Sequence, residues 1–170
     1  MKNLLLGLSG LLALALPQVA GAQNFTATNA YAAKFLCGVA SGVESGLAVV
    51  LGHYNTTINV LPTKNKQALA YRASATRNDL DVTNGGVSVF SARFDLDRDQ
   101  ALGVVCADII GGLFGTSAEG FIEGFVIVYS NGALLVTDVV TGEKEAGLST
   151  MQIYEVGERV ISNFTVKPGK

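Results

Sequence analysis

The sequence predicts an all-β chain: an antiparallel β-sandwich, immunoglobulin-like or jelly-roll-like, closed by one disulfide. Three observations carry that expectation. Apolar and polar residues alternate with a period of two in stretch after stretch, as half-buried antiparallel strands require. Turn chemistry separates the stretches, and no window long enough for a helix shows a helical period. The residues after the leader hold two cysteines, Cys37 and Cys106, which allow a single intramolecular pairing.

Residues 1–22 read as a secretory signal peptide. Lys2 supplies a positive start, Leu4 to Leu16 is an apolar run, and Pro17 breaks it. Ala20-Gly21-Ala22 then offers a small-x-small cleavage pattern before Gln23. The run is shorter than the roughly 20 residues a spanning helix needs, so no integral membrane segment is expected after cleavage. The expected product is exported, periplasmic or extracellular, with residues 23–170 as one domain. An oxidising compartment favours the Cys37–Cys106 bond over free thiols. The formal charge of −2 is spread in both signs along the chain and gives no footprint for nucleic acid.

Along the expected domain, His53 to Leu61 alternates Tyr54, Thr56, Ile58 and Val60 against Asn55, Thr57 and Asn59. Gln67 to Ala75 and Val87 to Leu96 alternate in the same way. Pro62 with Asn65, Asn78-Asp79 and Asn84-Gly85-Gly86 supply the turns. Gly120 to Ser130 and Ala133 to Val140 are apolar on both faces, which predicts central strands, and Asn131-Gly132 between them signals a two-residue hairpin. Thr150 to Val156 reads as a last strand. Asn163 to Lys170 reads as a frayed tail or an edge strand, and Gly38 to Gly46 as a loop. Ala107 to Leu113 could make one helical turn, which Gly111-Gly112 should end quickly.

Candidate chemistry is sparse. Asp95, Asp97 and Asp99 occupy the first three ligand positions of an EF-hand loop. Gln100 then stands where the glycine belongs, and Cys106 where the bidentate glutamate belongs. The reading preferred here is a polar turn leading into a strand, Ala101 to Cys106; calcium on the three aspartates is the one metal alternative, and no other cofactor is expected. His53 is the single histidine, and nothing in the spacing ties it to a serine nucleophile and an acid. Glu119 and Glu123 on one strand would lie about 13 Å apart, beyond the usual glycosidase separation. Three N-x-T sequons, at Asn24, Asn55 and Asn163, read as threonine-rich strand composition.

The chain resembles a family of small, exported, largely uncharacterised bacterial β-sandwich proteins. The resemblance rests on "AKFLCG" (Ala33 to Gly38), "GHYNTTINV" (Gly52 to Val60), "DQALGVVCADI" (Asp99 to Ile109), "GFIEGFVIV" (Gly120 to Val128) and the final "YEVGERV". The family's two cysteine motifs fall on Cys37 and Cys106. Its His-Asn-Pro-like turn after the second motif is "LPTKN" here, and the acids before its second cysteine are Gly103, Val104 and Val105. The resemblance implies an exported β-sandwich and transfers no activity.

The functional expectation is therefore a non-catalytic exported module that binds a protein or a surface glycan, with His53, Tyr54 and Glu123 as ligand or edge contacts. The alternative is a subunit of an extracellular fibre or matrix, a homo-oligomer built by strand addition, with the N-terminal "QNFTATNAYAAKF" (Gln23 to Phe35) as the donated segment. A calcium-binding protein or a hydrolase stands behind both.

Overall fold

The computed structural model of the protein describes residues 23–40, 51–75, 90–114, 120–143 and 149–169. The expected leader 1–22, the expected turns at Asn78-Asp79 and Asn84 to Gly86, the start of the Val87 stretch, most of the expected Gly38 to Gly46 loop and Glu119 lie outside the described residues. Among the described residues nine strands follow in chain order: β1 Phe25–Ala40, β2 Gly52–Pro62, β3 Gln67–Ala75, β4 Phe94–Leu96, β5 Leu102–Val105, β6 Ile122–Ser130, β7 Leu134–Glu143, β8 Ser149–Glu155 and β9 Glu158–Val166. All their ladders are antiparallel. The fold is all-β.

The ladders form one connected path, β4-β3-β6-β1-β2-β7-β8, with β5 added to β2 and β9 to β1. The first strand is the joint. Its residues Asn29 to Cys37 pair with β6, Phe25 to Tyr31 pair with β9, and Gly38 to Ala40 pair with β2. One half of the path is thus β4-β3-β6-β1-β9, and the other holds β2, β5, β7 and β8. Gly38 marks the changeover. Its φ is 94°, and a Cβ there would lie 2.0 Å from the Gly120 carbonyl oxygen, so both backbone and space demand glycine.

Both halves close on one apolar core. From the first half come Tyr31, Phe35, Leu69, Val126 and Val128; from the second come Ile58, Val60, Val104, Leu134 and Val136. Removing a side chain such as Phe35 from water contributes about 2–3 kcal/mol. The expected disulfide stands at the junction: Cys37 on β1 bonds Cys106, just past β5, with Cα atoms 5.6 Å apart. Beside it, the buried Thr56 hydroxyl accepts the Leu36 N–H at 2.9 Å and donates to the Leu36 carbonyl at 3.0 Å. A covalent bond and a two-bond polar clamp therefore hold the halves together at one end. At another, the Tyr31 hydroxyl accepts the Leu134 N–H at 2.7 Å, again across the halves.

Several expectations need correction. Asn131-Gly132 makes no hairpin, because β6 pairs with β1 and β3 while β7 pairs with β2 and β8. The short link carries the chain from one half to the other. Asn131 is held on β3 through its Oδ1, which accepts the Ala68 N–H at 3.0 Å, while the Gln67 amide donates to the Ala133 carbonyl at 3.0 Å. The apolar β7 is not buried on both faces: Leu135 on its outer side is 46% exposed. In the Val87 to Leu96 stretch only Phe94–Leu96 is strand among the described residues. A π-helical turn runs from Asp108 to Phe114 and passes through Gly111-Gly112 instead of ending there. Asn163 to Val166 belongs to β9, and Gly38 to Ala40 to β1. Of the expected donor segment Gln23 to Phe35, everything from Phe25 onward lies in β1 of this chain's own sheet, with Phe25 and Ala27 buried in its second apolar cluster and Tyr31 and Phe35 in the main core.

Candidate functional site

The first half carries apolar clusters on both its faces because β6 is apolar on both. Val126 and Val128 point into the main core, whereas Ile127 and Tyr129 point the other way. On that outer face their neighbours across the ladders are Ala30 and Ala32 on β1 and Ala70 and Arg72 on β3. Alanines leave the surface low. One end is built up by an aromatic cluster: Phe90 and Phe164 each place a ring 5.4 Å from that of Tyr129. Gly169 donates its N–H to the carbonyls of Phe90 and Ser91, at 3.0 Å each, which fastens the C-terminal end over this cluster.

Arg72 lies under the rings. Its guanidinium carbon is 5.4 Å from the Phe90 centroid and 5.6 Å from that of Tyr129, and its buried Nε has no hydrogen-bond partner. The aromatic faces stand in for an acceptor, each such contact being worth about 0.5–2 kcal/mol. Beside this cluster a groove of about 550 Å³ stays open, floored by Ala30, Ala32, Ile127 and Tyr129 and walled by the β9 residues Arg159 to Ser162. Its size falls within the range of ligand sites. Its lining is mixed: the polar side chains are Arg159, Ser162 and the Tyr129 phenol.

The residues singled out from the sequence do not converge. His53 and Tyr54 open β2, paired with Val39 and Gly38 of β1. The His53 side chain faces solvent, and the Tyr54 ring packs edge-on to Phe121 at 5.4 Å. Glu123 lies on β6 and forms an ion pair with Lys34 at 3.4 Å, on the outer face of the first half. Asp95 is gripped by Arg93, whose Nη2 and Nε donate to its Oδ1 at 2.6 and 3.0 Å. Asp97 caps the neighbouring turn, accepting the Lys66 N–H at 3.2 Å, and its own N–H donates to the Gln100 side chain at 2.9 Å. The aspartate stretch thus forms a turn between β4 and β5, docked on residues 63–66. Among the described residues no three His, Cys, Asp or Glu side chains gather as a metal site.

Comparison with family models, with curated proteins and with solved structures returns no match.

Two features escaped the sequence reading. Asp138 lies on the inward side of β7, 3% exposed, with one carboxylate oxygen unpartnered, and burial pushes its carboxyl up to about 6. The signal was an acid inside the apolar run "ALLVTDVV". The groove was hidden for a different reason: its floor joins alanines of β1 to Ile127 and Tyr129 of β6, and its wall comes from β9, far away in sequence from β1. Near the core's edge, burial raises the Tyr31 phenol; the Leu134 hydrogen bond opposes the rise, and the Glu158 carboxylate adds to it.

Proposed function

We propose that the protein is an exported, non-catalytic β-sandwich module that binds an apolar segment of another protein in the β9-walled groove. The observation that carries this reading is the groove itself: a floor of two alanines, Ile127 and the Tyr129 ring, with an aliphatic wall of Val160 and Ile161 flanked by Arg159 and Ser162. Such a floor suits aliphatic side chains of a polypeptide, and Arg159 suits an acidic residue beside them. A sugar could stack on the Tyr129 ring, but among the groove's side chains it would find only Arg159, Ser162 and that phenol as polar partners, which is why a glycan array belongs in the test. The resemblance to small exported bacterial proteins supports the compartment but names no partner.

The test is a displayed peptide library panned on the purified protein, run alongside a glycan array. Enrichment of apolar peptides with an acidic residue, lost in Ala32→Glu and weakened in Arg159→Ala, is the expected result. Glycan binding untouched by both substitutions would overturn the assignment. The second reading, a fibre subunit assembled by strand addition, draws its support from the exposed strand β8. It requires oligomers that grow with concentration.

A further inference from the structure

The last strand of the path, β8, has β7 on one side and no described strand on the other. Its side chains are exposed on both faces: Met151 is 64%, Ile153 61% and Tyr154 50% exposed. Edge strands of monomers are blunted by lysine, proline, a bulge or a covering loop. Among Ser149 to Glu155 there is no lysine, arginine, proline or glycine, and the seven-residue ladder to β7 runs without a register shift. The one charge, Glu155, lies at the very end. These are the properties of a strand that receives another.

We infer that the occupant is β8 of a second copy, paired antiparallel about Gln152. In that register Met151 of each copy faces Ile153 of the other, Thr150 faces Tyr154, and Ser149 faces Glu155. All seven residues are used, the large apolar residues oppose each other, and no carboxylate meets a carboxylate. Sliding by one pair leaves only five pairs and puts Glu155 opposite Met151 in one direction and Ile153 opposite Ser149 in the other, while an in-register parallel pairing brings the two Glu155 side chains together. The self-complementarity selects the twofold arrangement. Because a twofold pairing is isologous and uses the β8 edge of both copies, this contact closes at a dimer and does not grow into a fibre. The strand contributes no residue to the groove, so the dimer leaves both grooves open and stands independently of what they bind.

Sedimentation of the purified protein from about 1 μM to 1 mM tests this, a range that brackets weak but specific contacts. A reversible monomer–dimer equilibrium is expected. Ile153→Lys should shift the dissociation constant upward by at least tenfold while its far-UV dichroism and melting curve stay like those of the parent. Gln152→Cys should give, on mild oxidation, a covalent dimer whose linking bond maps to position 152 of both copies. A monomer across the whole range, larger open-ended oligomers, or a dimer that Ile153→Lys leaves intact would each overturn the inference.

Discussion

Breaking the Cys37–Cys106 bond is the perturbation whose size follows most directly from the chain. The cysteines are 69 residues apart, and in the loop-entropy description a closure of that length stabilises the fold by about 4 kcal/mol at 25 °C. The bond also sits where β1 leaves the first half for the second, so its loss frees the joint and not a peripheral loop. Cys37→Ala with Cys106→Ala removes it without leaving thiols. For a domain of this size each kcal/mol moves the melting midpoint by about 2–4 °C, so a fall of roughly 8–16 °C is expected. Urea denaturation followed by far-UV dichroism measures the free energy, and calorimetry the midpoint. A loss below about 1 kcal/mol, with unchanged cooperativity, would refute the view that this bond fastens the two halves.

Asp138 should impose a pH dependence. Its carboxyl is raised to about 6 in the fold against 3.8 ordinarily, so the folded chain holds the proton more tightly than the unfolded one. The associated stability is complete below about pH 4 and disappears as pH rises through 6. Asp138→Asn should flatten that slope and leave the protein more stable at pH 8 by on the order of 2 kcal/mol in urea titrations; an unchanged slope would contradict the burial of this acid. Tyr31→Phe strands the Leu134 N–H in the interior and should cost about 1–3 kcal/mol by the same measurement, whereas a neutral result would mean water replaces the phenol. Gly124→Ala places a methyl 2.1 Å from the Ser74 carbonyl oxygen in the middle of the first half, and should lower the melting midpoint by more than about 6 °C.

The legibility of the sequence followed contrast along each strand. Where large apolar residues alternate with polar ones, as from His53 to Leu61, the strand and its inward face were readable, and β2 buries Thr56, Ile58 and Val60 as expected. Gln67–Ala75 was readable to its ends. The longest strand, β1, was not read as a strand of this chain's own sheet, because alanine lies on both its faces and the buried Asn29 stands among its inward residues, which blurs the period. The disulfide could be deduced from composition and compartment, since two cysteines leave one pairing. Which strands would be neighbours could not. Asn131-Gly132 has the same local chemistry whether the chain folds back on itself or crosses between halves, and contacts with Gln67 and Ala68 decide it. The groove and the exposed β8 depend on pairing partners, a tertiary property with no local signature.

The claim on which the functional account depends is that the groove beside β9 accepts a polypeptide segment. The chain has no tryptophan, so Val160→Trp, at a position 77% exposed on the groove wall, introduces a single reporter. Titration with an apolar peptide carrying one acidic residue should shift its emission to the blue, saturably, and the shift should vanish when Ala32→Glu is added. Emission that stays solvent-like at every peptide concentration, or a shift that survives Ala32→Glu, would contradict the account.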